Sequence, residues 1–259
     1  NYNVSIGGGS KNASYYWSLG SENNEGVILG DKFSAIRSRL NVDFKVNESI
    51  SVGANVQFAD RDASSVQATL SQMYIMSPYG DMFDSAGLPV WYPNTFATPS
   101  PLINHYGQRR LNRENTLFSV LYGKVKLPFG FDYKISFQPR YSWTKDYNFF
   151  PSTTVTGGQT YSNGYGTRLD RSGYEYMIDH LLHWNRSFGN HTFDVTMLYN
   201  VEKNTMWSST GSNMGFVPNQ NLGYNALQFG VNPGVSSSDS VQTGDAAMAR
   251  LNYSFLDKY

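Results

Sequence analysis

Residues 36–58 read IRSRLNVDFKVNESISVGANVQF. In an extended chain Ile36, Leu40, Val42, Phe44 and Val46 fall on one face, interrupted only by Ser38, while Arg37, Arg39, Asn41, Asp43 and Lys45 fall on the other. After Asn47, Glu48 and Ser49 the return arm puts Ile50, Val52, Ala54, Val56 and Phe58 on one side and Ser51, Gly53, Asn55 and Gln57 opposite. Period-two alternation on both sides of a short polar break is a β-hairpin. The alternation does not say which face is inside. In a soluble sheet the apolar face lines a core; in a membrane barrel it meets lipid and the charges line a wet lumen.

Composition narrows the choice. The chain has 259 residues, with 20 basic and 20 acidic side chains, so net charge gives no reason to expect a nucleic-acid partner. Only 15% of residues are charged, against about 25% in an ordinary soluble domain, and another 15% are aromatic. Cysteine is absent, which excludes disulfides and thiolate metal sites. No run approaches the ~18 apolar residues of a membrane helix. The mean hydropathy of −0.44 is compatible with a barrel, whose strands alternate. The chain starts in a strand-like pattern without Met and stops directly after another, so it reads as an internal piece of a longer protein.

Nine strands are predicted, at 2–7, 14–20, 33–46, 49–61, 115–127, 131–145, 174–186, 192–203 and 243–255. Short connections (8–13, 47–49, 128–130, 187–191) alternate with long ones (near 21–32, 62–114, 146–173, 204–242). In an antiparallel meander this places every short turn at one end and every long loop at the other, the layout of outer-membrane barrels. Sandwiches mix loop lengths at both ends. Strand 131–143 puts Phe131, Tyr133, Ile135, Phe137, Tyr141 and Trp143 on one face and Asp132, Lys134, Gln138 and Arg140 on the other. Amphipathic aromatics toward the ends of an apolar face are expected where that face meets lipid headgroups. The charges of the opening hairpin therefore face a wet interior. Strand 174–186 fits less well, with apolar residues on both faces, and 243–255 alternates clearly only near its end.

Within the loop at 62–114, Ser64 and Ser65 precede an apolar i, i+4, i+7, i+8 pattern at Val66, Leu70, Met73 and Tyr74, which predicts a short helix ended by Pro78. A loop this long is unusual without a function.

The ordered set of segments SIGGGSKNASYYWSL (5–19), NEGVI (24–28), RLNVDFKV (39–46), FFPST (149–153), SFGNH (187–191) and RLNYSFLDKY (250–259) resembles the SusC/RagA family of TonB-linked outer-membrane proteins. Each motif alone mostly encodes hairpin chemistry; their order and spacing carry the resemblance. It implies an all-β fold, a transmembrane antiparallel β-barrel of 22 strands, of which residues 1–259 would be a barrel-domain segment of about nine strands without the plug. It also implies a location in the outer membrane of a Gram-negative, Bacteroidetes-like cell. The implied activity is TonB-dependent import of oligomeric nutrients, glycan first and oligopeptide next. The implied partners are a SusD-like surface lipoprotein lid, the TonB complex acting through the missing N-terminal part, and outer-membrane lipid. The rival reading is a passive porin or adhesin barrel without energy coupling.

No enzyme and no cofactor is expected. His180 and His183, three apart on a strand, point to opposite faces and cannot share an ion. Asp81 and Asp84 near Gly87 lack the dense oxygen ligands of a calcium loop and read as a polar turn. No Gly-x-Ser-x-Gly motif is present, and a barrel hydrolase with a triad assembled from distant strands is the enzyme alternative. Arg37, Arg39, Asp43, Lys45, Lys134 and Arg140 are expected to line the lumen, pairing with one another and the plug or contacting substrate. Tyr79, Phe83, Trp91 and Tyr92 are candidate substrate-stacking residues in the long loop; the competing role is to close that loop's own small core or to face the lid.

Overall fold

The computed structural model describes residues 1–77, 79–93, 98–161, 163–216 and 219–256. Nine strands run in chain order: β1 Tyr2–Gly9, β2 Ala13–Glu25, β3 Lys32–Lys45, β4 Ile50–Asp62, β5 Arg109–Leu127, β6 Phe131–Phe150, β7 Tyr165–Phe188, β8 His191–Met214 and β9 Gly234–Phe255. They form one sheet in sequence order, each strand antiparallel to the next, with β1 and β9 at the edges. All nine predicted strands are present. Those from β5 onward run 19 to 24 residues, well beyond their predicted limits at the long-loop end. The connections there shrink to 26–31, 63–108, 151–164 and 215–233.

The register assigns every side chain a face. One row across β2 to β8 joins Tyr15, Val42, Ala54, Leu121, Phe137, Ile178 and Val201. Three positions toward the long loops, a row on the other face joins Ser18, Arg39, Gln57, Phe118, Arg140, Glu175 and Asn204. The polar face is concave: a recess of about 470 Å³ is lined on that side from Asn3 in β1 to Arg140 in β6.

The apolar face carries two aromatic bands. Tyr141, Trp143, Tyr174 and Trp207 form one toward the long loops, with Tyr141 and Tyr174 stacked at 4.6 Å. Phe131, Tyr133, Trp184 and Phe193 form the other near the short turns, with Phe131 and Trp184 stacked at 5.8 Å. Ten positions separate Tyr141 from Phe131. At about 3.3 Å per residue and a barrel tilt near 40°, that is ~25 Å, the height of a lipid-facing apolar band.

Among the described residues no protein core lies between the belts. Among the described residues, the large buried apolar side chains are Met76, Ile103, Tyr147, Phe149 and Phe216, all at the long-loop end. Ile36, Leu40, Phe44, Leu121 and Ile135 on the belted face remain exposed. A single-layer sheet with a bare apolar face needs lipid as its solvent.

The two less regular strands have a clear cause. In β7, Ile178, Leu182 and Trp184 face outward, while Met177 and Leu181 face inward, where Leu181 aligns with Leu198 and Met248. From 243 to 249 the outward face of β9 carries Thr243, Asp245, Ala247 and Ala249, small or polar residues that hide the alternation.

The loop helix differs from expectation. It spans only Leu70–Met73 (α1), with Thr69 before it and no side-chain cap. Ser64 and Ser65 fasten the loop to the sheet instead. Ser65 Oγ accepts from Lys32 N–H and donates to the Lys32 carbonyl, and Ser64 Oγ accepts from Asn112 N–H. Serines that satisfy strand-end backbone groups are not free to cap a helix. Pro78, expected to end that helix, lies outside the described residues. A second short helix, α2, spans Ile103–Gly107 just before β5.

Candidate functional site

All six charged residues expected on the lumen side (Arg37, Arg39, Asp43, Lys45, Lys134 and Arg140) share the concave face. They fall into two groups at different heights.

Toward the short turns, Tyr122 from β5 is the centre of a cluster. Its hydroxyl donates to Asp43 on β3, reaching across β4 at Gly53. A Cβ at Gly53 would lie 2.5 Å from the Tyr122 ring, so the contact depends on glycine there. Lys124 and Lys134 hold their ammonium groups 5.1 and 5.2 Å from the Tyr122 ring centre, two cation–π contacts on one ring. A cavity of about 750 Å³ opens beside them, lined also by Lys45, Lys126, Asp132 and His183.

Toward the long loops lies the recess holding Arg37, Arg39, Arg61 and Arg140. Arg37 pairs with Glu22, Arg61 with Glu114 at 3.5 Å, and Arg140 with Glu175 at 3.8 Å. The Arg140 guanidinium also stands 5.6 Å from the ring centre of Phe118. Sequence patterning missed Phe118 and Tyr122. The available signal was an aromatic on the polar parity of an otherwise alternating strand.

Above the sheet the loops pack on one another. Gln159 donates to the Tyr92 hydroxyl, and Trp91 lies against Gly158, where a Cβ would come within 3.1 Å of the indole. These two aromatics therefore join the 63–108 loop to the 151–164 loop. Phe83 meets Tyr106 edge-on at 5.6 Å within its own loop, and Tyr79 is 95% exposed. The Asp81–Gly87 stretch is a turn: Asp84 Oδ1 accepts from Ala86 and Leu88 N–H groups at 2.9 and 2.8 Å.

The 215–233 connection folds onto the outward parity of the strand extensions. Phe149 is fully buried there, edge-on to Phe216 at 5.1 Å and under the Arg109 guanidinium at 5.0 Å. Arg109 also donates to the carbonyls of Gln220 and Asn221. Nearby, the buried Tyr147 donates its hydroxyl to Asp170.

His180 and His183 do face opposite ways. The first bonds Tyr133 on the outward face and the second bonds Asp194 on the inward face. His191 bonds Tyr253, and His105 meets the Val66 carbonyl.

The arrangement is a transmembrane wall with a lipid face, a hydrated charged face and a crown of packed loops. No family model matches the chain. A curated TonB-dependent receptor of Formosa agariphila is 22% identical over 267 residues, covering 99% of this chain and 25% of that protein. Among solved structures, the RagAB peptide transporter aligns with a TM-score of 0.79 at 17% identity, covering 98% of this chain and 30% of that one. The RagAB peptide importer in its 'open-open' state aligns at 0.80 with 19% identity, covering 99% and 30%. The fold is that of part of the barrel in the RagAB structures, and these likenesses agree with the SusC/RagA resemblance of the sequence motifs. The chain spans between a quarter and a third of the relatives it matches. Those relatives are named as receptors and transporters, not enzymes.

Proposed function

We propose that residues 1–259 form a barrel-wall segment of an outer-membrane importer that takes up oligomeric nutrients, glycan or oligopeptide, with energy from TonB. The observation that carries this reading is the division of one sheet into a lipid-height apolar belt and a continuous charged concave wall. In the whole protein further strands pair with the edges of β1 and β9, a plug fills the lumen, and a SusD-like surface lipoprotein closes over the long loops. The loop crown containing Trp91 and Tyr92 then sits where substrate arrives. Its aromatics can stack on sugar rings or peptide side chains.

The test is uptake of fluorescent oligosaccharides and oligopeptides by cells making the full-length protein, with and without a proton gradient. Uptake of one class that stops when the gradient collapses is the expected result. Uptake indifferent to the gradient would make this a passive barrel.

A further inference from the structure

The upper recess of the concave wall has one cation more than it has carboxylates. Among the described residues, Arg37, Arg61 and Arg140 each face a glutamate, while Arg39 faces none. Among the described residues the Arg39 side chain makes one hydrogen bond, Nε to Asn41 Oδ1 at 3.3 Å, and the residue is exposed and lines the recess. Its row supplies Ser18 and Gln57 on either side, then Phe118 with Arg140 stacked on it. The next row places Gly20 and Ala59 beside Arg37, short side chains that keep the recess open. Its volume of about 470 Å³ falls in the range that holds small ligands.

A guanidinium presents a planar fork that matches a carboxylate in two parallel hydrogen bonds. Here the fork is supported by neutral hydroxyl and amide groups, and its neighbouring cations are already neutralised. Phe118 offers a flat apolar surface across β4, suited to the body of the same ligand. The lower cluster lacks this arrangement, since its cations are lysines without the planar fork, two of them held over Tyr122.

We propose that Arg39 is the anchoring point for a carboxylate on the transported oligomer, with the Phe118–Arg140 pair seating the adjoining unit. This rests on the import reading above and narrows it to acid-bearing cargo. The carboxylate belongs either to a peptide C-terminus or to a uronic acid, and the experiment separates the two.

The full-length protein, with its lid partner, is titrated with pooled pentapeptides carrying free C-termini and with the same pool amidated. A parallel arm uses oligogalacturonates and their methyl esters. In one arm the acid is expected to bind about tenfold more tightly than its neutral form, and Arg39→Gln removes that preference. Arg39→Lys keeps part of the preference, because charge survives and the fork does not. Binding without acid preference in either arm overturns this proposal and leaves import standing. Binding of no probe in either arm also overturns this proposal, and the import reading is then decided by the uptake assay above. Loss of the folded barrel in Arg39→Gln, restored in Arg39→Lys, would place Arg39 in an ion pair with protein filling the lumen and overturn the ligand role.

Discussion

Val42 and Asn41 are adjacent, yet the register sends them into different solvents. Val42 aligns with Leu121, Phe137 and Ile178 in the apolar belt, and Asn41 aligns with Tyr16 and Asn55 on the hydrated side. Val42→Arg is expected to cost about 2–4 kcal/mol, and Asn41→Arg much less. Heat-modifiable gel mobility of the full-length protein reads this, with equal loss of the folded band in both variants contradicting the assignment of faces. Gly53 acts on the hydrated side by having no side chain. Gly53→Val is expected to force Tyr122 off Asp43 and to cost about 1 kcal/mol, the scale of one net hydrogen bond. Urea midpoints of this variant and of Asp43→Ala should shift alike, and the double variant should add little to either. Full additivity would mean that the contact does not form.

The faces were legible at this scale because period two needs only local sequence. At the scale of elements legibility stops at the upper aromatic belt. Residues 165–173 read YGTRLDRSG, 204–214 NTMWSSTGSNM and 234–242 GVSSSDSVQ, all paired in β7, β8 and β9 without a sustained apolar face. Above the lipid both faces are wet or covered by loops, so ladder hydrogen bonds keep the strands extended while the pattern that announces them fades. The loop contacts were illegible for another reason. Trp91 on Gly158, or Arg109 on Gln220, joins segments far apart in sequence, and no local spacing encodes such a meeting. The fold of the 215–233 connection depends on Gly166, where a Cβ would come 2.7 Å from Leu227. Gly166→Val should lift this connection at a cost of about 1–3 kcal/mol, seen as faster proteolysis near 219–233 with the folded barrel intact. Unchanged cleavage there would show that the packing onto Phe149 does not hold the loop.

For the whole molecule, the claim that organises everything else is that this sheet crosses a membrane with its short turns on one side and its long loops on the other. Glu48 and Lys11 are exposed in the short turns, and Val27 and Tyr79 are exposed at the opposite end. Gly157 would be a poor probe, because a Cβ there would lie 2.1 Å from the Phe150 carbonyl. Single cysteines at the four exposed positions in the full-length protein, treated on intact cells with a membrane-impermeant maleimide, test the claim most directly. Val27→Cys and Tyr79→Cys are expected to label at once. Glu48→Cys and Lys11→Cys are expected to label only after the outer membrane is permeabilised. Labelling of all four on intact cells, or of the turn pair alone, would contradict a membrane-spanning wall in this orientation.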